Sequence, residues 1–234
     1  MNNSALITVT NLVKRFPMGK REFTALNNIN LKFDSGEFAG IVGPSGSGKT
    51  TLLNIIGSLD IPSGGEAVVM GQSVSELSAK KAANLRNHHL GFIFQTYNLL
   101  QVYTVYENVE LPLLLLKMSA AERKKLVLQS LEWVGLMDKI KSRPAQLSGG
   151  ECQRVSIARA MVKSPEIVLA DEPTANLDAK NSHNILQMME KLNRELNTTF
   201  IFATHDEKVI KYLRRKISLD DGEVVNDEIV NGTE

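Results

Sequence analysis

A glycine-rich stretch at residues 43–50 holds the groups best suited to chemistry in this sequence. It reads GPSGSGKT and fits the pattern G-x-x-x-x-G-K-[ST] at every fixed position. Small residues let successive backbone N–H groups point at one anion, and a helix beginning there adds its positive end. We therefore predict a phosphate-binding loop made of Gly43, Pro44, Ser45, Gly46, Ser47, Gly48, Lys49 and Thr50, with Thr51 next to it.

Two side chains of this loop have separate expected roles. Lys49 is placed to reach the β- and γ-phosphates of a nucleotide and to take part in catalysis. The Thr50 hydroxyl is placed to ligate Mg²⁺. The alternative is a chance glycine-rich turn, which would require neither the apolar run before the loop nor the helix-forming run after it.

A pair of carboxylates, Asp171 and Glu172, ends the apolar run of residues 167–170. A buried parallel strand would carry both to the sheet edge at which a phosphate loop lies. We expect Asp171 to hold Mg²⁺ and Glu172 to polarise an attacking water. Acids at strand ends are also common as solvated caps, and the phosphate loop is what favours the catalytic interpretation.

The elements that must position these groups indicate an α/β fold. Short β-branched and aromatic runs predict strands, and residues 49–56, 120–133 and 150–161 predict helices. Asp221-Gly222 after the last run is a hairpin signal, and the polar end from about Asn226 is expected to fray. The predicted strands are residues 6–10, 29–33, 38–42, 67–70, 90–94, 167–170, 199–203 and 216–219.

The predicted strands disappear between residues 105 and 161. We therefore predict one domain in two parts. Residues 1–94 and 162–234 form a phosphate-loop nucleotide-binding α/β core with a small antiparallel β portion, and residues 95–161 form a helical insertion.

Composition narrows the classes of function. The chain of 234 residues carries 27 basic and 26 acidic residues, so no overall field attracts nucleic acid, and no nucleic-acid partner is expected. Cys152 is the only cysteine, which indicates a reducing compartment. The N-terminus lacks the pattern of a secretory signal, and the apolar run 111–116 is far shorter than the roughly 20 residues of a membrane span. We expect a soluble chain that needs a partner for any membrane role.

Further motifs resemble those of the ATP-binding-cassette (ABC) ATPases. Residues 147–151, LSGGE, followed by Gln153-Arg154, resemble the signature motif and end 20 residues (171 − 151) before Asp171. Residues 175–178, ANLD, resemble the D-loop of the family. The resemblance extends over about residues 6–224, and it also includes the Q-loop glutamine at Gln95, the switch histidine at His205 and the adenine-stacking aromatic at Phe16.

The resemblance implies a homodimer that holds two ATP molecules between its subunits. One copy would supply loop 43–50, Phe16 and Gln95, and the other would supply the signature. Glu172 would activate water, His205 would contact the γ-phosphate, and Gln95 would join Thr50 and Asp171 around Mg²⁺. The signature and D-loop residues expected to contact nucleotide are Ser148, Gly149, Gly150 and Asp178.

Two positions depart from the commoner family pattern. Glu151 stands where glutamine is most frequent, and Phe16 stands where tyrosine is commoner. The glutamate form resembles a subset that includes lipoprotein-releasing and macrolide-export ATPases, as do residues 57–62, 107–112 and 169–178. This resemblance implies an integral membrane partner, a cytoplasmic location at the inner face of the cell membrane, and ATP-driven export or extraction of an amphiphile.

Several alternatives stay open at this point. An ATPase of a cell-division or envelope-remodelling complex would carry the same motifs. A soluble ABC ATPase acting on DNA or ribosomes is disfavoured, since the chain has no long heptad stretch and no second phosphate loop. A non-hydrolysing sensor is disfavoured by the presence of Glu172 and His205. Residues 111–116 fit a membrane-partner contact and a buried helix face equally well.

Overall fold

The computed structural model describes residues 5–19 and 21–230 and has an α/β fold with two sheets. The larger sheet has six strands in the order β10-β9-β3-β8-β7-β6. Its inner strands pair in parallel, and β9 and β10 form an antiparallel hairpin. These strands are β3 (Phe38–Val42), β6 (Leu90–Ile93), β7 (Ile167–Asp171), β8 (Thr199–Thr204), β9 (Arg215–Asp220) and β10 (Glu223–Ile229).

The smaller sheet is antiparallel and forms the small β portion predicted from the sequence. Its strand order is β2-β1-β4-β5. Strands β1 and β2 form a long hairpin, paired from Ile7 and Phe33 at one end to Met18 and Arg21 at the other. Bulges shift the register between these two pairs. Its strands are β1 (Ile7–Met18), β2 (Arg21–Phe33), β4 (Gly64–Val69) and β5 (Gln72–Ser73).

Helices cover the sheets and fill the segment between β6 and β7. From residue 94 to residue 166, all of which the structure describes, there is no strand. Three helices of this segment begin with capping boxes, in which a serine or threonine and the glutamate three residues later satisfy each other's backbone N–H groups. The α-helices are α1 (Lys49–Ile56), α2 (Ala79–His89), α3 (Val105–Glu110), α4 (Ala120–Trp133), α5 (Gly149–Met161), α6 (Ala179–Leu196) and α7 (Glu207–Ile210).

The polar C-terminal stretch is ordered further than the sequence indicates. The prediction that the chain frays from about Asn226 is wrong as far as Ile229, because β10 pairs with β9 from Asn226 to Ile229. Ion pairs of 2.7 Å between Arg215 and Asp227 and of 3.5 Å between Lys216 and Glu228 stabilise the hairpin. The rest of that prediction, residues 231–234, lies outside the described residues.

The helices of the described residues include none that is both long and apolar enough to cross a membrane.

Candidate functional site

The phosphate-loop motif lies between the buried strand β3 and helix α1. Two of its glycines have no room for a side chain. A Cβ at Gly43 would lie 2.0 Å from the backbone oxygen of Leu219. Gly48 has a φ of +103°, and its Cβ would lie 2.6 Å from the backbone oxygen of Ala25. The close packing of this loop against its neighbours therefore depends on glycine at both positions.

The loop carries polar groups that suit an anion. The Lys49 ammonium donates hydrogen bonds of 2.7 Å to the carbonyl oxygens of Gly43 and Pro44, so it is folded back over the loop. Burial lowers the pKa of Lys49, whereas Glu172 and Asp171 raise it. The Ser47 hydroxyl is only 3% exposed and has no hydrogen-bond partner among the described residues. A buried hydroxyl without a partner is costly, and a phosphate oxygen would satisfy it.

The predicted Mg²⁺ ligands Thr50 and Asp171 are in direct contact. The Thr50 hydroxyl lies 3.2 and 3.1 Å from the two carboxylate oxygens of Asp171. Burial raises the pKa of Asp171, and the hydrogen bond from Thr50 opposes that shift. Within the described residues, no three His, Cys, Asp or Glu side chains cluster as metal ligands. A hydroxyl and one carboxylate fit Mg²⁺, which takes its other ligands from nucleotide phosphates and water.

Glu172 points away from Asp171 and contacts the end of β8. Its carboxylate accepts hydrogen bonds of 2.9 Å from the Thr204 hydroxyl and 3.2 Å from the backbone N–H of His205. The His205 Nδ1 atom lies 2.6 Å from the same carboxylate. The structure therefore brings together the two side chains predicted to act on water and on the γ-phosphate, although 32 residues separate them in the chain.

Gln95 and Asp178 are two further residues predicted to belong to the site. Gln95 follows β6, and because Ile93 pairs with Ala170 it emerges at the same edge as Asp171. The Gln95 carbonyl accepts a 2.8 Å hydrogen bond from the Asn176 side chain, which joins the Q-loop to the D-loop. Asp178 caps the N-terminus of α6, where bonds from Asn181 lower the pKa of its carboxyl.

The signature residues form the start of α5. Ser148 is the N-cap, and its hydroxyl and backbone N–H both donate to the Glu151 carboxylate at 2.9 and 2.7 Å. Gly149 and Gly150 form the first turn, whose N–H groups have no partner within the helix. A Cβ at Gly150 would lie 2.9 Å from the Asn181 side chain of the D-loop helix. These N–H groups are the ones through which the predicted signature would contact an anion.

A cavity of about 330 Å³ opens beside the phosphate loop. The described residues that line it include none of the signature. Phe23 is a lining residue that the sequence analysis missed; the signal that could have revealed it is its place across the hairpin from Phe16. The lining consists of Phe16, Phe23, Ala25, Gly46, Gly48, Lys49, Thr50 and Thr51.

Comparisons with known proteins agree with this geometry. The family profile of ABC transporters matches residues 26–175. Macrolide export ATP-binding/permease proteins MacB of Burkholderia pseudomallei (strain 1710b) and Burkholderia thailandensis are 45% identical over 224 residues, which is 96% of this chain. The chain spans 34%, about one third, of the length of each of these relatives.

Solved structures share the fold along nearly the whole chain. The dimeric bacterial ABC transporter cassette MJ0796 is 43% identical with a TM-score of 0.89, and the match covers 97% of this chain and 100% of that one. A second MJ0796 dimer, in a post-hydrolysis state bound to ADP and Pi, gives 42% identity, a TM-score of 0.88 and the same coverage. The chain therefore belongs to the ABC transporter family and is an ATP-binding cassette of the family's ATPases.

Proposed function

We propose that two copies of this chain bind ATP and Mg²⁺ between them, and that hydrolysis drives a membrane partner in export or extraction of an amphiphile. The observation that carries the proposal is the convergence of Lys49, Thr50, Asp171 and Glu172 at one edge of the parallel sheet. Catalysis of phosphoryl transfer consists largely of positioning and charge stabilisation, and these residue types supply both.

Each side chain has a defined role in this proposal. Lys49 turns from the loop carbonyls to the β- and γ-phosphates, and Ser47 donates to a phosphate oxygen. Thr50, Asp171 and Gln95 hold Mg²⁺, which supplies charge neutralisation to the phosphates when it is bound. Glu172 accepts the proton of the attacking water, and His205 leaves Glu172 to contact the γ-phosphate.

The second subunit supplies what the first lacks. Gly149 and Gly150 carry N–H groups without a partner inside the helix, and in the proposed dimer the Ser148 hydroxyl turns from Glu151 to a phosphate oxygen. None of these three residues lines the cavity beside the phosphate loop. The dimers of the related cassette MJ0796 support a two-subunit arrangement. Opposed signature and phosphate loops would make a self-complementary pair, which ATP holds closed and hydrolysis opens. Phe16 would stack on the adenine, and Asp178 would contact the nucleotide.

An integral membrane partner is supported by an apolar surface on the helical segment. Leu114 and Leu115 are 53% and 75% exposed, whereas Leu113 between α3 and α4 is fully buried. The stretch 111–116 therefore supports both interpretations left open by the sequence, a core contact and a partner contact. A neighbouring groove of about 290 Å³ is lined by apolar residues, among them Phe92 and Pro112, and also by the cations Arg159 and Lys163. Exposed apolar surface of this kind is typical of an interaction site.

The partner would place the chain at the cytoplasmic face of the cell membrane. The MacB relatives are named as ATP-binding and permease proteins, and this chain corresponds to about a third of their length. We propose that the helical insertion, residues 95–161, moves against the core of residues 1–94 and 162–234 and transmits that motion to the partner.

The change Glu172→Gln tests the enzyme and the dimer together. Loss of the general base is expected to reduce ATP turnover by about 10²-fold or more and to leave ATP binding intact. ATP with Mg²⁺ should then hold the variant as a dimer in analytical ultracentrifugation, and ADP should leave it monomeric.

The matched control is Glu166→Gln. Glu166 immediately precedes the N-terminal end of β7, whereas Glu172 follows its C-terminal end, so this variant should retain turnover. Turnover of Glu172→Gln close to that of the unmodified chain would remove Glu172 from the catalytic role. A variant that binds ATP and stays monomeric would contradict the shared site.

A further inference from the structure

Phe23 is a half-exposed aromatic ring at the mouth of the nucleotide cavity. Phe23 on β2 is 49% exposed, and Phe16 on β1 is 38% exposed. The two residues are direct partners across the antiparallel hairpin. Directly opposed residues place their Cβ atoms about 5 Å apart on the same face of a sheet. Both side chains line the same cavity as Thr50 and Thr51.

One face of the Phe16 ring is already occupied by a fixed cation. The Lys14 ammonium lies 4.9 Å from the centre of the ring, within the range of a cation–π contact. Lys14 is only 8% exposed, and its ammonium donates bonds of 2.7 Å to Asp60 and 2.8 Å to the Ile61 carbonyl. The loop after α1 thus holds Lys14 against the ring, and a ligand must approach Phe16 from elsewhere.

Among the described residues, the rest of the cavity lining has no polar side chain that could hydrogen-bond to the edge of a nucleotide base. Beyond Lys49, Thr50 and Thr51, which belong to the phosphate end, the described lining consists of phenylalanine, alanine and glycine. A base at this end of the cavity would be held by ring faces and apolar area. Stacking of this kind tolerates different bases, since every base has a π-face.

We propose that Phe23 is a second aromatic wall for the purine base, beside Phe16, and that Lys14 is a positioning residue that fixes the Phe16 ring. This inference rests on the proposed binding of nucleotide at loop 43–50. It assigns base recognition to a pair of rings from one hairpin and makes that recognition indifferent to the groups on the purine edge.

The test compares three ligands on the full chain by calorimetry: ATP, GTP and inorganic tripolyphosphate. Phe23→Ala is expected to weaken ATP and GTP binding by about 5- to 30-fold each and to leave tripolyphosphate binding unchanged. Phe23→Tyr keeps a ring and should stay within about twofold of the unmodified affinity. Met18→Ala is the control, because Met18 lies on the same hairpin, is 71% exposed and does not line the cavity.

The outcomes separate this inference from the proposed function. ATP affinity of Phe23→Ala within twofold of the unmodified chain would overturn the second wall, as would a loss confined to one purine. An unmodified chain that binds neither ATP nor tripolyphosphate would instead overturn the proposed function.

Lys14 has its own test. The double change Lys14→Met and Asp60→Asn removes the cation without leaving the half-buried carboxylate of Asp60 unpaired. A positioning role predicts weaker ATP binding with tripolyphosphate affinity unchanged. Equal loss for both ligands, or no loss for either, would overturn that role.

Discussion

The adjacent carboxylates Asp171 and Glu172 contact different partners because β7 ends at Asp171 and the backbone turns sharply at Glu172. Asp171 contacts Thr50, while Glu172 contacts Thr204 and His205. Glu172 has a φ of +45°, an unfavourable value for a residue with a side chain. A backbone bond of 2.9 Å from Glu172 to the Ala203 carbonyl helps to hold it there. Strain of this kind, on the order of 1 kcal/mol or more, is common at residues that function in catalysis.

Ser148 caps α5 and, in the proposed dimer, also contacts a phosphate; Ser119 allows these two roles to be separated. Both serines begin a helix with the same capping box, bonded to Glu151 and Glu122 respectively. Changing either serine to alanine should lower the free energy of unfolding by about 1 kcal/mol. Only Ser148→Ala should also reduce ATP turnover, by about 10²-fold, because only that hydroxyl faces a phosphate in the proposed dimer.

Urea unfolding and steady-state ATP hydrolysis measure the two effects on the same samples. Equal turnover in Ser119→Ala and Ser148→Ala would show that the signature serine is only a helix cap.

At the scale of elements, the sequence predicts strands best where both faces are buried. Strands β3, β7 and β8 are continuous apolar runs, and each is buried along nearly its whole length. The hairpin of β1 and β2 extends far beyond the predicted residues 6–10 and 29–33, because bulges break its alternation and its tip is exposed. Helix α2 escaped prediction since Leu85 is its only buried residue.

The sequence predicts the residues of the candidate site one by one, but not the contacts between them. The motifs predicted Asp171, Glu172 and His205 individually, but their contacts depend on the pairing of Asp171 with Ala203. Phe23 has no motif of its own and enters the site only through its register with Phe16. Strand register is decided by long-range pairing, which a single sequence leaves open.

Lys163, just beyond α5, lines the groove of about 290 Å³, and its burial there can be tested through the pH dependence of stability. Burial lowers the pKa of Lys163 to about 8, and its ammonium donates a 2.6 Å bond to the Arg86 carbonyl. Between about pH 8 and about pH 10.4, the unfolded chain keeps a proton on this lysine that the folded chain has released. The free energy of unfolding therefore rises with pH across that window.

The comparison is between the unmodified chain and Lys163→Met in urea at two pH values. Between about pH 7.5 and about pH 9.5, the unmodified chain should gain about 1–2 kcal/mol relative to the variant. Lys125→Met is the control, because Lys125 is exposed on α4 and has no ion pair among the described residues. Parallel pH profiles for all three proteins would show that Lys163 is not desolvated in the folded chain.

The whole molecule has one complete phosphate loop and one complete signature on different parts of the fold. Loop 43–50 leads into α1 of the core, whereas Ser148 begins α5 of the helical segment. A chain that used both for the same nucleotide would need them in one cavity, and the lining beside the loop contains no signature residue among the described residues. In the proposed dimer, each nucleotide therefore contacts the loop of one copy and the signature of the other.

A mixture of two inactive variants tests that exchange. Lys49→Ala disables the phosphate loop and Ser148→Arg blocks the signature, so each variant alone should hydrolyse little ATP. A mixed dimer joins the intact loop of one variant to the intact signature of the other, which makes one working site. An equimolar mixture should recover about a quarter of the unmodified turnover, since half of the dimers are mixed and half of their sites are intact. A mixture no more active than its components, with mixed dimers demonstrated through tags of different size, would place each nucleotide within a single chain.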